Sequence, residues 1–240
     1  MKILITSGGT KIKIDDVRNI SNMSKGTFGS AICKSFLNKG HTVDFLMAKD
    51  SKSPFKFEHH YFNLSNDSYK NWNMFCSLSS KLYAEHIYTT FSSYAEQLEN
   101  LLKNNKYDMV VLAAAVSDYE VKNVVNGKMR SGDDNKIELV PLPKLISTVK
   151  KIQPDTFLVG FKLMVGASEK ALINHAEMSI EKNGCNVVIA NDLQDIKNNN
   201  HKVLIVDKNN VISYTKDDVE AYGITLAEKV VDRLIDVKNR

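Results

Sequence analysis

The chain has 240 residues, of which 43% are hydrophobic and 25% are charged, and its formal net charge is +4. A chain of this length can bury a substantial core, and we expect one globular domain over residues 1–240. The basic residues are interspersed rather than clustered, which disfavours a nucleic-acid partner and favours a small anionic ligand.

The cysteines and the apolar segments argue against disulfide-rich, zinc-binding and membrane-spanning proteins. Cys33, Cys76 and Cys185 are widely spaced and form no Cys-x-x-Cys pattern, so neither a disulfide framework nor a zinc site is predicted. No apolar run approaches the roughly 18 residues that span a bilayer, and the first predicted strand starts directly after Met1. We therefore expect an unprocessed, soluble protein of the reducing cytoplasm, with no membrane partner.

The first predicted strand leads into a glycine-rich loop. Residues 3–6 are apolar without alternation, as in a parallel strand covered on both faces. Two glycine clusters follow, Gly8-Gly9-Thr10 and Gly26-Thr27-Phe28-Gly29, and the second opens a predicted helix that ends at Gly40. Backbone N–H groups at a helix N-terminus attract anions, and glycine lets a phosphate approach the backbone. We therefore expect a nucleoside triphosphate here, with a tightly packed turn as the alternative.

A dinucleotide site fits this loop less well. The loop is about three times longer than the usual two to six residues. Asp44 lies inside the second predicted strand, residues 42–47, rather than at its tip, where an acid would hold the ribose. An NAD(P)-dependent reductase of the short-chain type also needs a Tyr-x-x-x-Lys pair, whereas Tyr119 and Lys122 are only three residues apart. This enzyme class is retained as an alternative.

The rest of the chain alternates predicted strands and helices. Further strands are predicted at residues 87–91, 109–115, 136–140, 157–161 and 186–190. Helices are predicted at residues 94–103, 145–152, 168–183 and 217–236. Residues 201–214 predict a hairpin because turn residues separate two apolar runs. The order predicts an α/β fold: a Rossmann-like, mostly parallel sheet covered by helices on both faces, with a small antiparallel extension near the C-terminus.

Residues 49–81 show no regular periodicity. His59 and His60 are adjacent, and adjacent side chains point to opposite faces of an extended chain, so no metal site is predicted there.

Polar residues follow several of the predicted strands. Ligands of such sheets bind beyond the carboxyl ends of the strands. Residues 7–10, 114–118, Phe161 and 191–192 are therefore expected to share one rim. Asp118 could hold Mg²⁺ or a ribose hydroxyl there, and a helix cap or turn former is the alternative.

Several short motifs, in their order along the chain, resemble those of phosphopantothenoylcysteine synthetase, the phosphopantothenate–cysteine ligase of coenzyme A biosynthesis, in its free-standing bacterial form. The resemblance covers nearly the whole chain apart from residues 49–85. The motifs that carry it are residues 5–10, 14–22, 26–29, 113–119, 127–130, 140–145, 160–163 and 188–192.

The resemblance implies a two-step reaction. The carboxylate of 4′-phosphopantothenate attacks the α-phosphate of a nucleoside triphosphate, giving an acyl-nucleotide, and the amine of cysteine then displaces the nucleoside monophosphate. CTP is the nucleotide that the resemblance implies, and ATP stays open. Mg²⁺ is expected with the triphosphate, with Asp118 as its protein ligand, and no flavin is expected because the decarboxylase half of fused bacterial forms is missing.

The resemblance also assigns residues. Lys128 matches the lysine needed to form the acyl-nucleotide, and Asn22 matches the asparagine that handles this intermediate. Arg18 and the backbone at Ala114 and Ala115 are similar to the groups that line the pocket. Residues 131–134 resemble a flap over the intermediate, and water exclusion would protect a mixed anhydride. The nucleotide would be bound by Gly8, Gly9, Thr10, Ser24, Gly26, Gly29, Asp118 and Phe161.

This sequence departs from the family pattern at three places. Ser24-Lys25-Gly26 replaces Ser-Ser-Gly, Ser131 replaces a lysine after Arg130, and Met164-Val165 replaces an acid-Thr pair. Family members pair, so a homodimer is expected, with the 201–214 hairpin as the candidate contact. A nucleotide sensor without catalytic activity is the remaining alternative, in which Asn22 and Lys128 have no chemical role.

Overall fold

The computed structural model describes residues 1–55, 82–130, 136–220 and 224–240. Their strands, in chain order, are β1 Lys2–Ser7, β2 Lys11–Lys13, β3 Asn19–Ser21, β4 Thr42–Ala48, β5 Tyr83–Tyr88, β6 Met109–Leu112, β7 Tyr119–Val121, β8 Leu139–Pro141, β9 Phe157–Met164, β10 Val187–Asp192, β11 Lys202–Asp207 and β12 Val211–Thr215. Their helices are α1 Thr27–Asn38, α2 Phe91–Asn104, α3 Ile146–Ile152, α4 Glu169–Asn183, α5 Leu193–Lys197, α6 Lys216–Glu220 and α7 Leu226–Lys238.

The main sheet confirms the predicted fold class. Its strand order is β12-β11-β10-β9-β6-β1-β4-β5. The six strands from β10 to β5 are mutually parallel, and β11 and β12 extend the sheet antiparallel. The order reverses at β1, which lies between β4 and β6, so the loops after β1 and β6 leave the sheet side by side. Such a reversal is where open α/β sheets bind their ligands.

Each face of the sheet has its own hydrophobic core. Ile3 and Ile5 of β1 pack with α1 and α7, whereas Leu4 packs with α2, α3 and α4 on the opposite face. A strand buried on both faces has apolar residues at every position, which explains the absence of alternation in β1. Helices therefore cover both faces, as predicted.

Several element boundaries differ from the sequence prediction, and the predicted strand 109–115 ends early, as β6 at Met109–Leu112. The predicted strand 87–91 is β5 at Tyr83–Tyr88, and Phe91 instead begins α2. Thr90 caps that helix by accepting a hydrogen bond from the Ser93 backbone N–H, and this capping box outweighs the strand preference of the aromatic and β-branched residues. The predicted helix 217–236 is two helices, because Thr225 starts α7 with a second capping box.

Short strands account for further differences. The predicted strand 136–140 is β8 at Leu139–Pro141, and its partner β7 was not predicted. Strands β2 and β3 were also not predicted, because three residues carry too little periodicity. The 201–214 hairpin is confirmed as β11 and β12. His59, His60 and the expected flap at 131–134 lie outside the described residues.

Asp44 has a structural position inside β4. Its carboxylate accepts hydrogen bonds from the Tyr107 hydroxyl at 2.8 Å and from His86 Nε2 at 3.0 Å, and Lys2 Nζ lies 3.4 Å away. Burial opposes ionisation, but these three partners outweigh it and lower the pKa of Asp44. An acid engaged in this way is not available to a ribose, which weakens the dinucleotide alternative.

Within the described residues, no helix combines the length and the apolar character needed to cross a membrane.

Candidate active site

The glycines after β1 allow three backbone segments to meet at the end of this strand. The Ser7 hydroxyl donates to the Gly26 carbonyl at 3.1 Å. A Cβ atom on Gly26 or Gly29 would lie 2.8 Å or 2.6 Å from Ser7 Oγ. Glycine at these positions therefore lets the first turn of α1 rest on the end of β1. The alternative of a tightly packed turn is therefore sufficient to explain why Gly26 and Gly29 are glycines.

The start of α1 is nevertheless suited to an anion. Gly26 is the N-cap residue, and it has a left-handed conformation and no side-chain cap. The N–H groups of the first helical turn have no partner inside the helix, so a phosphate can accept hydrogen bonds from them. Packing and phosphate binding are therefore compatible uses of the same glycines.

Replacing Gly8 with alanine is expected to destabilise the protein by about 2–4 kcal/mol. Gly8 has φ +86°, and a Cβ atom there would lie 2.6 Å from Ala48 Cβ and 2.7 Å from Ser51 Cβ. Gly40→Ala is the matched control, since Gly40 has φ +77° with nothing within 4 Å of the added atom. Urea unfolding of both variants separates steric overlap from backbone strain. Equal losses in the two variants would show that the overlap is relieved.

The loops after β1 and β6 are joined through Ala115. Its carbonyl accepts hydrogen bonds from Asn22 Nδ2 at 2.7 Å and from the Thr10 N–H at 3.2 Å. Its own N–H donates to the Gly8 carbonyl at 2.7 Å. The Ser117 N–H donates to Thr10 Oγ1 at 2.9 Å. The Asn22 side chain is therefore hydrogen-bonded to the backbone of Ala115, which the resemblance assigns to the same pocket.

The segment that carries Lys128 is attached to the same first loop. Asp15, 1% exposed, accepts hydrogen bonds from the N–H groups of Val17, Arg18 and Met129 at 2.8, 2.7 and 3.1 Å. Desolvation opposes ionisation of Asp15, but these donors and the nearby Arg18 guanidinium outweigh it and lower its pKa. Asp15 therefore holds the Lys128 segment as a buried anion.

Neighbouring contacts complete this attachment. Asp16 accepts from the Gly127 N–H at 2.7 Å, and its own N–H donates to the Gly127 carbonyl at 3.0 Å. Arg18 donates from Nη2 to the Met129 carbonyl at 3.2 Å. Both chain neighbours of Lys128 are thus fixed, while its own side chain is exposed. Sequence reasoning gave Asp15 no specific role, although it is one of the polar residues between the two glycine clusters.

Phe161 lies inside β9 rather than after it, because β9 continues to Met164. Its ring centroid is 6.2 Å from that of Phe28, in the first turn of α1. Asn191 and Asp192 are likewise the last residues of β10 rather than the residues after it. Asp192 accepts from the N–H groups of Gln194 and Ala167, so its carboxylate is occupied by the backbone.

Comparison with known proteins identifies the family. A family model described as the DNA/pantothenate metabolism flavoprotein C-terminal domain matches residues 1–67 and 81–236. The mouse phosphopantothenate–cysteine ligase is 30% identical over 269 residues, which cover 97% of this chain and 84% of the mouse protein. The chain belongs to the phosphopantothenate–cysteine ligase family.

Other relatives agree with this placement. The coenzyme A biosynthesis bifunctional protein CoaBC of Thermococcus kodakarensis is 36% identical over 207 residues, which are 86% of this chain but only 45% of that protein. The DNA/pantothenate metabolism flavoprotein from Streptococcus pneumoniae has a similar structure, with a TM-score of 0.77 at 26% identity, covering 98% of this chain and 97% of that one. A Cab2 mutant in complex with phosphopantothenate-cysteine has a TM-score of 0.84 at 23% identity, covering 99% and 86%, and shows the shared fold.

In this member of the ligase family, Asp118 forms an exposed ion pair with Lys144. The side chains are 57% and 65% exposed, so a ligand can compete for either of them. Among the described residues, no group of three or more His, Cys, Asp or Glu side chains could hold a metal ion. One carboxylate with phosphate oxygens and water is a donor set that suits Mg²⁺.

An open cleft of about 210 Å³ lies on the β4 side of the Asn22 loop. Lys11, whose ammonium contacts Asp50, and Lys49 line it together with Asn22. Sequence reasoning missed both lysines, because isolated surface lysines carry no motif. The other lining residues are Gly9, Ser21, Met23, Ser24, Ala48, Ser51 and Thr89.

Proposed function

We propose that this protein joins 4′-phosphopantothenate to cysteine in coenzyme A biosynthesis, through an acyl-nucleotide formed with CTP or, as the alternative, ATP. Family membership supports the substrates. The observation that carries the mechanism is that two segments are hydrogen-bonded to the loop after β1. Asn22 of this loop is bonded to Ala115, and Asp15 of this loop is bonded to the Lys128 segment.

The proposed reaction balances in two steps. A carboxylate oxygen of phosphopantothenate forms a bond to the α-phosphorus, and the bond from that phosphorus to pyrophosphate breaks. The amine of cysteine then bonds to the acyl carbon and loses a proton to water, and the acyl C–O bond breaks. The released monophosphate keeps the former carboxylate oxygen.

Lys128 and Asn22 suit different steps. An exposed ammonium can neutralise the charge that develops on the α-phosphate and on departing pyrophosphate. The Asn22 amide is uncharged and both donates and accepts. Nδ2 donates to the Ala115 carbonyl, and Oδ1, the acceptor of this amide, can accept from the cysteine amine. Arg18, ordered by Asp15 and Met129, is the candidate group for the substrate's negative charge.

Mg²⁺ bound to the triphosphate would offset its charge, and Asp118 is the residue proposed to contact it. Lys144 would then lose its ion-pair partner and become available to a phosphate oxygen.

A product assay tests the proposed function. Purified protein is incubated with phosphopantothenate, cysteine, Mg²⁺ and either CTP, ATP, GTP or UTP. We expect pyrophosphate, nucleoside monophosphate and phosphopantothenoylcysteine in equal amounts with at least one nucleotide. Binding of a nucleotide without any of these products would instead favour the sensor alternative.

A homodimer is proposed as the assembly, and the exposed apolar residues favour a contact other than the 201–214 hairpin. Val17 and Ile20 lie in the β2–β3 segment, and Tyr119 and Leu139 lie in β7 and β8. The two segments are joined, since the Val125 N–H donates to the Ile14 carbonyl. Exposed apolar residues grouped on adjoining segments can mark an association surface.

Leu139→Glu is expected to convert the dimer into monomers at about 10 µM protein, because burying a charge in an apolar contact is costly. Val211→Glu in β12 is the matched control, since Val211 is 42% and Leu139 is 45% exposed. Sedimentation equilibrium gives the mass of each variant. If only Val211→Glu dissociates the dimer, the dimer contact is formed by the 201–214 hairpin instead. A monomeric wild type would contradict the dimer.

A further inference from the structure

His201 lies on the same face and edge of the sheet as Phe161. Phe161 packs against the cluster formed by α1 and α7, as do Ile189, its partner in register, and Val203. Alternate residues of a strand share a face. Asn191, two residues after Ile189, and His201, two residues before Val203, therefore belong to this face at the carboxyl edge.

Aromatic rings connect these residues to the start of α1. The His201 ring centroid is 4.9 Å from that of Phe28, with an interplanar angle of 59°. Phe28 in turn contacts Phe161 edge to face. Asn191 is 9% exposed. A flat heterocycle placed here would find ring surfaces and polar groups beside the helix end that suits its phosphates.

One polar atom of this cluster lacks a partner. His201 Nε2 is inaccessible to solvent and makes no hydrogen bond within the described chain. Buried polar atoms almost always have a partner, so an orphan of this kind needs an explanation. Burial, together with the charge of Lys216, lowers the pKa of His201. The ring is therefore neutral at neutral pH and has one nitrogen that donates and one that accepts.

We propose that His201 is a specificity-determining residue that reads the nucleobase, its accepting nitrogen taking a hydrogen bond from an exocyclic amino group stacked beside Phe161. The ligand class is a nucleoside triphosphate with an amino-bearing base, cytosine or adenine. A keto base presents an acceptor at that position, and with the ring proton on the other nitrogen it leaves the accepting nitrogen of His201 unpaired, which a polar site rejects. The inference rests on the proposed nucleotide site, but it concerns binding and does not require turnover.

Equilibrium binding tests the inference independently of the ligase assay. Dissociation constants are measured by calorimetry with Mg²⁺ for two sets of nucleotides, CTP with UTP and ATP with ITP. In each set the first base carries an amino group where the second carries a keto group. The wild type is expected to bind the amino member of at least one pair roughly tenfold or more tightly. Equal affinities within both pairs, or no nucleotide binding, would overturn the inference even if the product assay succeeded.

Two variants assign the preference to His201. His201→Phe keeps an aromatic ring against Phe28 but removes both nitrogens, and is expected to abolish the amino preference while affinity for the keto nucleotide changes little. His201→Gln restores an acceptor and is expected to recover part of the preference. An unchanged preference in both variants would overturn the proposal.

A spectroscopic measurement covers the case in which the Phe variant fails to fold. The side-chain ¹⁵N resonance of the accepting nitrogen in the wild type should shift on adding CTP or ATP and stay unshifted with the keto partner. Identical spectra with the amino and keto nucleotides would contradict the proposed contact.

Discussion

Lys128→Ala is expected to lower the rate of pyrophosphate release by about 10²–10³-fold, because the variant loses the charge that stabilises the first transition state. The measurement is rapid-quench release of pyrophosphate from CTP and phosphopantothenate with cysteine omitted. Asn22→Ala should behave differently under the same conditions, since its proposed role comes after the acyl-nucleotide forms. It should therefore release pyrophosphate and accumulate the acyl-nucleotide, which is detectable by mass spectrometry.

Lys122→Ala is the matched control for the lysine variant. Lys122 is an exposed lysine of the same loop region, and its ammonium pairs with Glu138 at 2.7 Å. Exposed pairs of this kind contribute little to stability, so this variant should keep nearly full activity. A block at the same step in Lys128→Ala and Asn22→Ala would contradict the division of roles.

Asp15→Ala is expected to lower kcat/KM by about 10²-fold although Asp15 contacts no reacting atom in the proposed mechanism. The substitution leaves the N–H groups of Val17, Arg18 and Met129 without their acceptor and releases Arg18 from its carboxylate partner. The Lys128 segment then loses one of its attachments to the first loop. Steady-state kinetics and thermal unfolding should show lost activity together with a lower Tm.

Asp16→Ala provides the control for this prediction. Asp16 is 51% exposed, and its backbone N–H still donates to the Gly127 carbonyl in the variant. Its activity loss should be much smaller. Equal losses in the two variants would show that Asp15 has no special part in positioning Lys128.

The pH dependence of stability gives a second readout for Asp15. Its pKa in the folded protein is lowered from the ordinary value of 3.8, so its contribution is fully present above 3.8 and is lost as pH falls through the folded pKa. The wild type should therefore lose stability below about pH 4. Asp15→Ala should show a shallower acid-induced loss, measured by urea unfolding at each pH.

The sequence predicts the parallel sheet well because buried strands such as β1 carry an uninterrupted apolar run, and the helices between them have clear periodicity. Short strands such as β2 and β7 have too few residues for any period. Asn22 and Lys128 could be selected because they lie in recognisable motifs. Asp15 lies in the same motif as Asn22, but its contact with the Lys128 segment, like that of His201 with Phe28, joins residues more than 100 positions apart and could not be predicted. Phe161 was placed at a strand end because β9 extends beyond its apolar run.

Tracing the carboxylate oxygen tests the central claim most directly. Phosphopantothenate labelled with ¹⁸O in its carboxylate is converted with cysteine and the unlabelled nucleotide. The ¹⁸O content of each product is then measured by mass spectrometry. Attack on the α-phosphate predicts one ¹⁸O atom in each nucleoside monophosphate released. Label in inorganic phosphate or pyrophosphate, with none in the monophosphate, would contradict the acyl-nucleotide and the roles assigned to Asn22 and Lys128.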